Sequence, residues 1–235
     1  MIMTEIPGIT PQVAAFAKRV ADEGFSVFMP DLFGTPGRQL SGPYVASTML
    51  QICVSREFSL LAAREASPIT EWLRALCRYA HDEVGGKGVG AIGMCITGNF
   101  ALALMVDPVV MAPVLSQPSL PFPLSAELRQ GLHVSDHDLN VIKRRVREEE
   151  GLQVIGLRFT QDRLCPQARF DRLTRELGDK FERIEIDSSP GNPDHLASNA
   201  HSVLGADFED PKGHPRPSTQ AALDRVLAFF RERLR

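Results

Sequence analysis

Short apolar runs at 25–29, 89–94, 109–115, 154–159 and 181–186 alternate with stretches of helical period, and this limits the possible folds more than any other feature of the chain. A strand, a helix and a second strand in that order need a crossover connection. A series of them gives a mostly parallel sheet with helices on both faces. The first helix is signalled by Thr10 as N-cap, Pro11 at the first helical position, Val13, Phe16, Ala17 and Val20 on one side, and Gly24 just past the end. The run 25–29 then reads as a strand buried on both faces, closed by Pro30-Asp31 and a loop containing Gly34, Pro36, Gly37, Gly42 and Pro43. Another helix opens at Ser67-Pro68, carries Ile69, Trp72, Leu73, Leu76 and Ala80 on one side, and ends at Gly85-Gly86. Helices over 96–106, 139–149, 166–177 and 221–234 continue the pattern. No repeat or linker interrupts it, so residues 1–235 read as one domain.

Composition narrows the class of protein. At 43% hydrophobic and 23% charged residues, with a net charge of -3, the chain is neither a disordered tail nor a basic nucleic-acid binder. No window approaches the apolar length of a membrane span, and the start MIMTEIPGITPQ has neither the basic region nor the apolar run of a signal peptide. The expectation is a cytoplasmic protein with no membrane or nucleic-acid partner. Cys53, Cys77, Cys95 and Cys165 are too far apart for a C-x-x-C pair and too few to staple a fold, so they read as free thiols.

In parallel sheets, reactive groups collect on loops at the carboxyl ends of strands. The segment Gly93-Met94-Cys95-Ile96-Thr97-Gly98 leaves an apolar run and enters a helix, the layout of a nucleophile elbow with cysteine in the place of serine. Gly93 and Gly98 remove side chains that would collide where the backbone turns sharply. A helix N-terminus also favours a thiolate at Cys95. The plainer alternative is that Cys95 is a small buried residue, as many free cysteines are.

Around this elbow the sequence resembles the dienelactone hydrolase family of the α/β-hydrolase superfamily over nearly its whole length. The matching segments are Glu5-Ile6-Pro7-Gly8, Pro30-Asp31-Leu32-Phe33-Gly34, the elbow itself, Gln161-Asp162-Arg163-Leu164-Cys165-Pro166, and Ala200-His201-Ser202. The resemblance implies a three-layer α/β-hydrolase fold, here N-terminally shortened to about six strands. It also implies a Cys95, His201 and Asp162 triad in the chain order of that fold, and an oxyanion hole from the backbone amides of Ile6 and Ile96. Glu5 matches a family glutamate that holds the resting thiol. The implied activity is cysteine-dependent hydrolysis of small-molecule esters or lactones, with no cofactor and no metal.

Other readings stay open for several of these residues. Asp162 also suits the N-cap region of the following helix, His195 rivals His201 as the base, and Glu5 would also serve as a surface carboxylate. His133, His137 and His214 hint at a metal, but no third ligand follows at a recognisable spacing. Thr97 stands where the family has glycine, which suggests a wider elbow. Gly205 stands where carboxylate-binding members have an arginine four residues after the histidine. Arg56 is a candidate anion contact, and the apolar stretch 41–66, with Met49, Leu50, Ile52, Phe58, Leu60 and Leu61, a candidate cap over the cleft. The chain begins almost at the first catalytic strand, so either the sheet has lost its first edge or the true start lies upstream of Met1. A sheet shortened in the first way exposes an edge that a homodimer would cover. Two further classes remain alternatives: a catalytically silent binding or regulatory relative, and a redox-active thiol protein.

Overall fold

A computed structural model describes residues 1–53, 68–120 and 125–235. Five strands form one sheet in the order β1-β2-β3-β4-β5. They are β1 (Ile2–Met3), β2 (Val89–Met94), β3 (Val110–Ser116), β4 (Val154–Phe159) and β5 (Phe181–Ile186), and every pairing is parallel. Eight helices accompany them among the described residues: α1 (Pro11–Asp22), α2 (Gly42–Cys53), α3 (Pro68–Val84), α4 (Gly98–Leu104), α5 (Ala126–Gln130), α6 (Asp136–Glu148), α7 (Gln167–Leu177) and α8 (Pro217–Leu234). None of the described helices is long and apolar enough to cross a membrane.

Alternation along the strands makes three layers, because successive residues of a strand face opposite sides of the sheet. Ala91 packs into a cluster with Leu73 and Cys77 of α3, Phe100 of α4, Ile142 of α6 and Phe170 of α7. Its neighbour Ile92 packs into the opposite cluster, with Val13 and Phe16 of α1 and Val226 and Phe229 of α8. Local signals set the ends of α1 as the sequence suggests: Thr10 Oγ1 accepts from the Val13 amide at 3.4 Å, and Gly24 takes a positive φ of 83° past the helix end.

Three sequence expectations need correction. Among the described residues the sheet has five strands where the sequence suggests about six: residues 25–29 touch it through the Ile2 amide donating to Phe28 O at 2.8 Å, and none of them is fully buried. The cause is the partner. A strand of two residues offers too short a ladder, and the far side of 25–29 meets no strand among the described residues. The expected helix over 96–106 begins as a tight 3-10 turn at Cys95–Thr97 and becomes α-helical at Gly98. The stretch 41–66 contributes α2, where Leu50 is 69% exposed and Tyr44 is buried, so Leu50 faces solvent rather than a packed cleft. Arg56, Phe58, Leu60 and Leu61 lie outside the described residues.

Candidate active site

The carboxyl ends of β1 and β2 lie side by side, with Ile2 opposite Ile92 and Met3 opposite Gly93. Ile6 and Ile96 therefore stand three residues beyond the same rung of the ladder. Between them, Cys95 turns the chain out of β2 with a φ of 59°, a left-handed conformation unusual for any residue but glycine. Both flanking glycines are obligatory. A Cβ on Gly93 would lie 2.0 Å from Thr97 O, and one on Gly98 would lie 2.8 Å from Pro118 Cα.

Thr97 does not widen this elbow. Its fully buried hydroxyl accepts from the Met94 amide at 2.8 Å and lies 2.8 Å from Met3 O, a carbonyl to which it can donate. The Oγ1 thus tethers the elbow to β1, and the close approach of Gly93 to Thr97 O shows the turn to be tight.

Asp162 follows β4 on a loop pinned by the buried guanidinium of Arg158, which donates to Cys165 O at 2.9 Å and Thr160 O at 3.0 Å. Asp162 Oδ1 accepts from the amides of Leu164 and Cys165, and Oδ2 lies 2.7 Å from His201 Nδ1. The helix-cap alternative for Asp162 therefore gives way: it caps its own turn, while α7 starts after Pro166 with no side-chain cap. The loop carrying His201 is held by Asp207, whose Oδ2 accepts from the amides of His201 and Ser202, both at 2.9 Å. Burial disfavours the charged imidazole, but the negative charge of the Cys95 sulfur and the hydrogen bond with Asp162 outweigh it, and the His201 pKa lies well above its ordinary value. With Nδ1 held by Asp162, the buried Nε2 is the ring nitrogen left to interact with the Cys95 sulfur.

Glu5 is buried, which removes the surface-carboxylate reading. Its Oε1 accepts from Ser202 Oγ and its Oε2 from Gln117 Nε2 at 2.9 Å. Burial raises the carboxyl pKa above the ordinary value, opposed by the hydrogen bonds from Ser202 and Gln117. Besides His201, the Cys95 sulfur meets Ser119, with Sγ and Oγ 3.0 Å apart. Ser119 and Gln117 carry no signal beyond a position after an apolar run. Arg169 is hidden in the same way on α7: although 1% exposed, it reads in the sequence as one more polar residue of an amphipathic helix. Its guanidinium donates to Gly131 O and Leu128 O at 2.9 Å and also to Pro118 O, and burial lowers its pKa.

The remaining candidates lie apart. His195 is exposed, as are His137 and His214, while His133 is buried against Arg169. No group of three or more His, Cys, Asp or Glu side chains that could hold a metal occurs among the described residues. Cys77, Cys95 and Cys165 are free thiols. Burial pushes the Cys77 thiol up to about 11 and the Cys165 thiol further still.

A parallel sheet with helices on both faces, a strained cysteine elbow and a late aspartate–histidine pair define the class of α/β-hydrolase folds. Within that class the chain belongs to the dienelactone hydrolase family, which it matches over residues 1–234. It is 24% identical over 191 residues to a Saccharomyces cerevisiae protein assigned as a carboxymethylenebutenolidase, an overlap of 79% of this chain and 66% of that one. The chain thus spans just under two thirds of that relative's length. A crystal structure from Klebsiella pneumoniae, assigned as a dienelactone hydrolase, superposes with a TM-score of 0.62 at 17% identity, over 98% of this chain and 85% of that one. The Pyrobaculum calidifontis esterase superposes with a TM-score of 0.52 at 11% identity, over 98% of this chain and 74% of that one. At such identities the structural likeness speaks for the fold alone.

Proposed function

We propose that the protein hydrolyses small-molecule esters or lactones through a covalent intermediate on Cys95. The observation that carries this reading is the conjunction of Cys95 at a φ of 59° after β2 with a His201–Asp162 pair at 2.7 Å whose imidazole also interacts with the Cys95 sulfur. His201 Nε2 takes the thiol proton, and Asp162 stabilises the resulting imidazolium. Cys95 Sγ attacks the carbonyl carbon, and the amides of Ile6 and Ile96 receive the negative charge of the tetrahedral oxygen. Collapse breaks the ester C–O bond, and the leaving alkoxide takes the proton from His201. Water then gives a proton to His201 and attacks the thioester, which releases the acid and restores the thiol. No cofactor enters these steps.

Position 205 bears on the substrate class. A Cβ on Gly205 would lie 2.5 Å from Ser202 Oγ and 2.7 Å from Glu5 Oε1, so an arginine at this position would have to displace two buried side chains. Short neutral esters and simple lactones are therefore the first substrates to try. The test is a panel of short p-nitrophenyl esters, thioesters and simple lactones given to the wild type and to Cys95→Ala. Turnover lost in the variant is expected, and turnover that survives it would remove Cys95 from the mechanism.

A further inference from the structure

We propose that Ser119 is the residue that stabilises the Cys95 thiolate in the resting protein, and that Glu5 is a positioning residue for the His201 loop. The inference rests on Cys95 as nucleophile, and it exchanges two roles within that site.

Ser119 is built to face the sulfur. It is 1% exposed, and its Oγ lies 3.0 Å from Cys95 Sγ. Its backbone is fixed at both ends: the Ser119 amide donates to Cys95 O at 3.0 Å, and Ser119 O accepts from Asn99 Nδ2 at 2.9 Å. Asn99 Nδ2 also reaches Ile96 O at 3.1 Å, and Arg169 holds the carbonyl of the preceding Pro118. The hydroxyl is thus presented to the thiol by the same backbone that forms the elbow. A hydroxyl is a far better donor than a thiol, and a bond from a neutral donor to an anion is roughly twice as strong as a neutral one. When His201 Nε2 accepts the thiol proton, Ser119 keeps its own and donates a hydrogen bond to the sulfur anion.

Both oxygens of Glu5 are already engaged by other side chains. Ser202 Oγ occupies one and Gln117 Nε2 the other. Gln117 Oε1 in turn accepts from Ser116 Oγ and from the Val203 amide, so a single buried network joins the ends of β1 and β3 to the residues that follow His201. Moving Glu5 toward the sulfur would strand the Ser202 hydroxyl and the Gln117 amide in a buried site.

Alkylation by iodoacetamide, read by mass spectrometry on the Cys95 peptide from about pH 5 to about pH 9, spans the range in which such a thiol titrates. In Ser119→Ala the rate at neutral pH is expected to fall about ten-fold and the midpoint to move to higher pH, the effect of losing one hydrogen bond to a charged group. In Glu5→Gln the rate should stay within about two-fold, because the amide oxygen still accepts and the Ser202 hydroxyl can turn. The ultraviolet absorbance of the thiolate, titrated on each folded variant and corrected with Cys95→Ala, gives the same midpoint without depending on reagent access. A Ser119→Ala midpoint equal to the wild type, or a Glu5→Gln midpoint displaced as far as that of Ser119→Ala, would overturn the exchange of roles. For the positioning role, Glu5→Ala should lower kcat with little change in KM, and Glu5→Gln should restore it. Alkylation needs no ester, so a shifted midpoint stands even if the hydrolase reading falls.

Discussion

Asp162 does two jobs with two oxygens, and that division tells which substitutions matter. Oδ1 holds the turn, and Oδ2 holds His201 in place and in charge. Asp162→Asn keeps one acceptor for the turn but loses the charge facing Nδ1. Ester turnover should fall by a factor on the order of 10⁴ with the folded state intact, measured as kcat beside the circular dichroism spectrum. Glu5 couples stability to pH. Its folded pKa is raised above the ordinary 4.5, so the folded state binds the proton more tightly than the unfolded chain. Stability then declines as pH rises through the window between the unfolded and the folded pKa. Glu5→Gln carries no such titration and should gain on the wild type as pH rises across that window, which denaturant midpoints at acid and neutral pH will show. An equal difference at both would place the carboxyl pKa at its ordinary value. Cys95, Asp162 and His201 were legible because each stands in a short motif with punctuating neighbours. Ser119, Gln117 and Arg169 were not, since their meaning comes from what lies across the fold and nothing adjacent in the chain marks them.

The elements carry the site by holding two strand ends and three loops in register. The elbow after β2 depends most on a missing atom: a Cβ at Gly93 would meet a backbone oxygen at 2.0 Å, and backbone cannot swing aside as a side chain can. Gly93→Ala should therefore destabilise the protein by about 3 kcal/mol or more, measured by chemical denaturation. A loss below about 1 kcal/mol would mean that the turn is looser than described. The apolar runs that became β2 to β5 were legible because each is long enough for both faces to find helices. The run 25–29 has the same composition without the same burial. Membership of a ladder is decided by the neighbour, and β1 is only two residues long. The α2 helix appeared in the sequence only as an apolar stretch, and its Tyr44 explains its docking: Tyr44 Oη accepts from the Thr35 amide at 2.6 Å and lies 3.3 Å from Pro7 O, beside the loop that carries Ile6.

At the scale of the whole molecule, one sheet separates two hydrophobic clusters that share its strands. Neither cluster can lose its packing while the other keeps a flat, paired sheet to pack on. Heat should therefore unfold the described core in one calorimetric transition, with equal calorimetric and van't Hoff enthalpies. Two resolved transitions would contradict a single cooperative unit. The three-layer α/β architecture was legible from alternation alone, since crossover connections leave few topologies. Covalent catalysis by Cys95 is tested by mixing the protein with a p-nitrophenyl ester and following the first turnover. The expected result is a burst of about one p-nitrophenolate per chain, with an acyl group on the Cys95 peptide by mass spectrometry. Steady release without a burst, unchanged in Cys95→Ala, would contradict it.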